Sequence, residues 1–312
     1  MKIIPLIFTF DFNLSFPAGV CLSSLLMSAG EETFYDIFVL HSGAQPPIDG
    51  IEKIRAAYAN FRLQYRSVGN AFDDGFEIRG ITKAAYYRLL AADLIPEYDK
   101  AIYADTDILF RFDQSKIFEI DLSGNYIGAV YAGGFTQSPE GRKYLQSLNL
   151  DPDRYFVSGY LLMDLKKMRE DKLGAKFIAE AAGKKYIYQD QDILNIVCKD
   201  RIMALPRSAS MGVSDFLTVV TGDKSLPGPH YNTSDDEALN ESNVHYNGQK
   251  PWKDLCPNFD IWWECYRKSP LYNPEFYFKF YYNKLEPLER LSLMKRVKVL
   301  VRYFVYGRKK DI

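Results

Sequence analysis

The sequence predicts an α/β fold: a mostly parallel central sheet flanked by helices, followed by a C-terminal helical extension. Three observations predict it. Apolar runs of strand length alternate with helix-length segments from Lys2 to Val197, the order that produces strand–helix–strand units. Several of these runs are apolar throughout, as strands covered on both faces are. The chain has 312 residues, 47% hydrophobic and 25% charged, enough for one large domain or a domain with an appendage.

Lys2–Phe10 reads as the first strand. Ser15, with Pro17 behind it, is a helix start, which predicts a helix over Phe16–Ser28. Asp36–Leu40 and Phe61–Val68 read as the next strands. Thr82 caps a predicted helix running to about Leu94, stopped by Pro96. Ala101–Ala104 is a short buried strand ending at Asp105. Tyr126–Tyr131 and Gly159–Met163 are strand-like, and Lys166–Ala182 and Asp190–Val197 have helical patterns. The polar stretch Ser208–Asn243 predicts long loops of the kind that form lids or binding elements. Residues 1–252 are expected to form the main domain and 253–312 the extension.

From Lys284 to Ile312 there are nine Lys/Arg against three Asp/Glu, so this tail carries +6 and the remainder −7. Leu288, Leu291, Met294, Val297, Val301 and Phe304 recur at three- and four-residue steps, with Lys295, Lys298 and Arg302 on another face. Such a basic amphipathic helix suits an anionic membrane surface. The alternative is a terminal helix docked on its own domain with the basic face in water.

The net charge of −1 argues against a chain organised around nucleic acid. Cys21, Cys198, Cys256 and Cys265 form no C-x-x-C pair, which points to a reduced compartment and away from a thiolate zinc site. The N-terminal apolar run meets Asp11 and Asn13 with no small-x-small cleavage site, so it reads as a strand rather than a signal peptide. No stretch has the roughly 18 to 20 apolar residues of a membrane span. The expectation is a cytoplasmic protein, with the inner face of the membrane as the surface its tail would meet.

Four segments carry chemistry. Asp105-Thr106-Asp107 follows the strand Ala-Ile-Tyr-Ala. Carboxylates two apart on extended backbone point the same way, and ligands of open α/β sheets bind beyond the strands' carboxyl ends. Two such carboxylates suit Mg²⁺ or Mn²⁺. His245, one of three histidines, precedes Gly248, which permits close backbone approach, and Lys250, a point charge for phosphate. An imidazole beside two carboxylates favours Mn²⁺ over Mg²⁺. Asp190 and Gln191 open an apolar helical stretch, where the alternatives are an ordinary acidic first turn and a pair facing a sugar. Arg88 taken alone reads as a solvated arginine, with reach to a phosphate from its helix as the functional alternative. His41 and His230 read as structural.

These segments resemble glycosyltransferase family 8, which includes bacterial lipooligosaccharide galactosyl- and glucosyltransferases and glycogenin. The pieces run in the family's order: Phe8-Thr-Phe-Asp11-Phe-Asn13, Ala84-Ala-Tyr-Tyr-Arg88, Lys100 through Asp105-Thr-Asp107, Tyr155-Phe-Val-Ser158-Gly159, Asp190-Gln-Asp-Ile-Leu-Asn195, and His245-Tyr-Asn-Gly248-Gln-Lys250-Pro-Trp252. The resemblance implies a GT-A fold, a UDP-hexose donor and transfer with retention at the anomeric carbon. By position it implies Asp105, Asp107 and His245 as Mn²⁺ ligands, and Asp11 and Asn13 at the uridine. It implies Arg88, Gly248 and Lys250 at the donor and diphosphate, with Asp190 and Gln191 at the transferred sugar. The tail and a cytoplasmic site suggest a lipid-linked saccharide acceptor of lipopolysaccharide or capsule type.

The chain departs from the family pattern at Val157, where an asparagine is usual, at Phe12 after Asp11, and after Tyr131, where relatives often carry an aspartate. These departures bear on donor identity. Two rivals stand beside this reading. One is a phosphohydrolase with Asp105 as nucleophile, which lacks its partner motifs here. The other is a catalytically impaired sugar-nucleotide binder of the same fold, in which Val157 marks the loss.

Overall fold

The computed structural model describes residues 1–78, 81–133, 136, 138–212, 215–216 and 241–306. His230 and most of the polar stretch Ser208–Asn243 lie outside the described residues, as does the end of the tail.

The central sheet has seven strands in the order β3-β2-β1-β4-β7-β6-β8. These are β1 (Lys2–Thr9), β2 (Thr33–His41), β3 (Phe61–Ser67), β4 (Lys100–Ala104), β6 (Ile127–Tyr131), β7 (Phe156–Asp164) and β8 (Ile202–Ala204). β1 runs parallel to β2 and β4, β2 parallel to β3, and β6 parallel to β8. Only β7 is reversed, pairing antiparallel with both β4 and β6.

Strand alternation divides the interior into two cores. Ile4, Leu6, Phe8, Ile37, Val39, Ile102 and Leu162 face one core, which α1 (Ser15–Met27) covers with Val20, Leu22 and Leu25. Ile7, Phe38, Leu40, Ala101, Tyr103, Leu161 and Met163 face the other. That core is closed by Lys83–Leu90, α6 (Leu165–Glu170), α7 (Leu173–Ala181) and α8 (Gln189–Val197). Burial on both faces explains why the strand runs carry so few polar residues.

The helix Phe259–Lys268 puts Trp262, Trp263 and Tyr266 into the same core as α1, and Leu271 follows them. Leu271 packs so closely on the loop before α2 (Ile51–Ala57) that a Cβ at Gly50 would lie 2.1 Å from its Cδ2. The beginning of the extension is thus part of the main core.

Three local expectations differ from the structure. Lys83–Leu90 is a 3₁₀ helix, and only Ala91–Leu94 is α-helical. Six of its eight residues are buried, and tertiary packing sets the winding: the three-residue repeat stacks Arg88 over Ala85, whose carbonyl accepts from Arg88 Nε at 2.9 Å. Thr82 gives the helix no side-chain cap; its hydroxyl donates to Asp11 at 3.1 Å instead.

The predicted helix Lys166–Ala182 is two helices, broken at Lys172 with φ +54°. The break lets Gly174 approach Asp93 closely enough that a Cβ would lie 1.9 Å from the carboxylate. The tail is likewise two helices, Pro274–Glu289 and Leu293–Tyr306. Leu293 and Met294 are each 78% exposed, and Val297, Leu300 and Val301 are exposed beside them, so these side chains are not docked on the domain. No helix among the described residues is long and apolar enough to cross a membrane.

Candidate functional site

The strand order reverses between β1 and β4, and their carboxyl ends carry Asp11 and Asp105. Such a switch point opens the crevice where α/β sheets bind ligands. β4 stops at Ala104, so Asp105-Thr106-Asp107 is not extended as expected but forms a turn, closed by the Ile108 N–H donating to the Asp105 carbonyl at 3.1 Å. Convergence of the two carboxylates is a property of this turn rather than of strand alternation.

His245 arrives through a second, three-stranded sheet that the sequence did not disclose. Its strands are β5 (Ile108–Leu109), β9 (Met211–Gly212) and β10 (Val244–His245), in the order β5-β10-β9. His245 pairs with Ile108, the residue after Asp107, and Tyr246 N–H donates to the Asp107 carbonyl at 3.0 Å. A chain separation of well over a hundred residues is thereby reduced to neighbours on a ladder. Buried Asn243 locks this sheet in place, donating to Gln114 and to the Ala209 carbonyl at 3.0 Å each.

One ligand atom from each of Asp105, Asp107 and His245 lies within 4.8 Å of the others. His245 Nε2 is 3.3 Å from Asp107 Oδ1 and 3.9 Å from Asp105 Oδ2. Asp107 Oδ1 is buried without a hydrogen-bond partner, 3.3 Å from the imidazole nitrogen. Gly159, on β7, forms the wall beside them, and a Cβ there would lie 2.2 Å from His245 Cε1 and 2.9 Å from Asp105 Oδ2. Two oxygens, one nitrogen, an orphaned buried acceptor and a wall without a side chain fit a divalent cation.

Cationic side chains surround the pair. Lys250 Nζ donates to Asp107 Oδ2 at 2.6 Å. Burial pushes the Asp107 carboxyl up, but Lys250 and His245 outweigh it and hold it below the ordinary range. Arg88 is buried, not solvated. Its guanidinium lies 2.9 Å from Asp105 Oδ1, donates to the Ser158 carbonyl at 2.7 Å and stacks 4.2 Å from the Tyr103 ring centre.

Asp190 is also buried. Its Oδ2 lies 3.2 Å from Arg88 Nε but accepts no hydrogen bond, since Nε donates to Ala85. Burial raises its carboxyl to about 6, with Arg88 pulling down and Asp105 pushing up. Gln191 is half-buried, and its side-chain oxygen accepts from Ser158 N–H at 3.1 Å. Asp192 points elsewhere: it accepts from the hydroxyls of Tyr144 (2.6 Å) and Tyr155 (2.5 Å).

Asp11 accepts from Asn13 N–H at 2.8 Å and from Thr82; the Asn13 side chain and Gly248 are exposed, with open space where a Cβ would stand on Gly248. Two polar contacts escaped the sequence reading. Tyr103 OH, fully buried, donates to Asp105 Oδ1 at 2.6 Å. Ser210 Oγ meets His245 Nδ1 at 3.2 Å. Tyr103 left a signal, a hydroxyl two residues before Asp105 in an otherwise apolar strand; Ser210 left none.

The sequence model of glycosyl transferase family 8 matches residues 5–256. The chain belongs to glycosyl transferase family 8. It is a glycosyltransferase, and Asp105, Asp107 and His245, which the fold brings together, form a group that could hold a metal ion.

Among curated relatives, the chain is 28% identical to General stress protein A of Bacillus subtilis (strain 168) over 253 residues, 78% of this chain and 85% of that protein. It is 32% identical to Lipopolysaccharide 1,2-glucosyltransferase of Escherichia coli (strain K12) over 181 residues, 55% of this chain and 49% of that enzyme. Among solved structures, galactosyltransferase LgtC in complex with donor and acceptor sugar analogs is similar with a TM-score of 0.68 at 22% identity, over 88% of this chain and 99% of that one. WbbM bifunctional glycosyltransferase is similar with a TM-score of 0.69 at 24% identity, over 91% of this chain and 52% of that one. These likenesses establish the GT-A fold of this family-8 chain.

Proposed function

We propose that this chain is a retaining hexosyltransferase that moves galactose or glucose from a UDP-sugar to a saccharide acceptor of lipopolysaccharide or capsule type, with Mn²⁺ as its metal. The observation that carries this reading is the orphaned Asp107 Oδ1 beside His245 Nε2 and Asp105, at the switch point of the sheet. Its nitrogen-containing donor set favours Mn²⁺, with Mg²⁺ as the harder alternative. A relative named as a lipopolysaccharide glucosyltransferase supports the acceptor class.

In this reading residues 1–252 carry the donor machinery and 253–312 form an extension whose first helix completes the core. A divalent cation held by Asp105, Asp107 and His245 would neutralise the diphosphate leaving group. Lys250 adds a second positive charge there, pre-placed by Asp107 and by the Tyr246 carbonyl. Asp11 and Asn13 receive the uridine, and Gly248 lets the backbone approach the phosphates. Arg88 acts on the donor through Asp105 and Asp190, the two carboxylates it holds.

Asp190 and Gln191 stand at the transferred sugar. Both are tied to the protein, Asp190 by Arg88 and Gln191 by the Ser158 N–H. Neither is a free nucleophile, which favours same-face attack with a diphosphate oxygen taking the acceptor proton. The exposed apolar row Leu293, Met294, Val297, Leu300 and Val301, with Lys295, Arg296 and Lys298 beside it, supports peripheral contact of the tail with an anionic membrane carrying a lipid-linked acceptor.

The test is donor cleavage. In Mn²⁺ the purified chain should release UDP from UDP-galactose or UDP-glucose, slowly to water and faster with acceptor. Asp105→Asn should abolish release while the circular dichroism spectrum stays that of the folded protein. Turnover indifferent to chelation would contradict the reading.

A further inference from the structure

His245 turns one ring nitrogen toward the carboxylate pair, and the chemistry of the other nitrogen decides whether the first is available. A neutral imidazole carries one proton. Nε2 can offer a lone pair to a cation only when the proton sits on Nδ1. His245 is 5% exposed, and a buried Nδ1–H needs an acceptor. Ser210 Oγ, itself on a residue 2% exposed, lies 3.2 Å from Nδ1.

The backbone that carries the hydroxyl is fixed by hydrogen bonds of its own. Ser210 N–H donates to the Arg207 carbonyl at 3.1 Å, and Met211 N–H to the Asn243 carbonyl at 3.0 Å. The next two residues pair with Val244 and His245 themselves. Ser210 therefore directly precedes β9 of the small sheet that carries the imidazole, and the ladder ties the two together. Gly159 abuts the ring edge at Cε1, between the two nitrogens, leaving no room for a side chain. Wall and hydroxyl meet the ring at adjacent positions, Cε1 and Nδ1.

We propose that Ser210 is a positioning residue for metal binding: its Oγ accepts the Nδ1 proton of His245 and so commits the Nε2 lone pair to the side of Asp105 and Asp107. The inference rests on the metal-binding reading above. A hydroxyl is suited to the task because it orients the ring without adding a third negative charge to a site with two carboxylates. Nothing in the sequence between Ser210 and His245 marks the pairing; it exists only through the β9–β10 ladder.

Removing such a contact weakens metal affinity by roughly 10- to 100-fold in other sites built on histidine. The experiment is a Mn²⁺ titration, followed by the electron paramagnetic resonance signal of free Mn²⁺, on the full chain without donor sugar. Ser210→Ala should bind Mn²⁺ at least tenfold more weakly than the wild type. Ser210→Thr, which keeps the hydroxyl, should stay within about threefold. Equal affinity of wild type and Ser210→Ala overturns the proposal while leaving the metal site standing. A wild-type chain that takes up no Mn²⁺ overturns both.

If Ser210→Ala does not fold, the wild type answers directly. With ¹⁵N-labelled histidine and Zn²⁺ as a diamagnetic probe, only three histidines contribute signals. His245 should carry its proton on Nδ1 and its metal on Nε2. The reverse tautomer, or a His245 untouched by the metal, overturns the assignment.

Discussion

Gly159 places no side chain between His245 and Asp105, and that gap makes room for anything the two could hold together. A methyl group there would lie 2.2 Å from the imidazole and 2.9 Å from the carboxylate. Gly159→Ala should leave a folded protein, destabilised by about 1–3 kcal/mol, whose Mn²⁺ affinity falls at least tenfold; a thermal melt and a metal titration check the two halves. Asp190 makes a prediction of opposite sign. Its carboxyl is raised to about 6 by burial, above the roughly 3.9 of an unfolded aspartate. Between those values the folded protein binds the proton and the unfolded chain does not, so this group's contribution to stability falls as pH rises from about 4 to about 6. Above that window the ionised form is a burden. Asp190→Asn should therefore be more stable than wild type at pH 8, by up to about 3 kcal/mol, with the gain fading toward pH 4, even as transfer is lost. Denaturant melts at the two pH values measure it, and a variant less stable at pH 8 would contradict it.

At the level of strands and helices, β1, β2, β4 and α8 could be read from the sequence, because strands buried on both faces leave uninterrupted apolar runs. Asp105, Asp107 and His245 were legible as residue types. Their meeting was not, because it depends on a turn at 105–107 and on two-residue strands too short to leave any periodicity. The 3₁₀ winding of Lys83–Leu90 was equally hidden, since tertiary burial rather than local propensity sets it. Asn195 shows how a motif residue can serve an element. Its side chain exchanges hydrogen bonds with both backbone groups of Phe156, at 3.0 and 2.9 Å, clamping α8 to β7. Asn195→Ala leaves those buried groups unpaired, so it should cost about 1–3 kcal/mol in urea unfolding, and Mn²⁺ affinity should stay near that of the wild type. A matching loss of metal affinity would mean that α8 supports the metal site as well as the sheet.

The extension divides into a part the fold needs and a part it does not. Trp262, Trp263, Tyr266 and Leu271 belong to the principal core, whereas the apolar residues of Leu293–Tyr306 that are described stand in solvent. A chain ending at residue 252 should fail to fold. A chain ending at residue 283 should keep its melting temperature and its UDP-releasing activity but lose sedimentation with anionic liposomes. Unchanged liposome binding would remove the tail from the membrane account. The site itself is judged by calorimetry, with UDP titrated into the protein in Mn²⁺ and again in excess chelator. Binding should weaken at least tenfold without the metal, and His245→Ala in Mn²⁺ should match the chelated wild type. UDP binding of equal strength in all three would contradict a metal held by Asp105, Asp107 and His245.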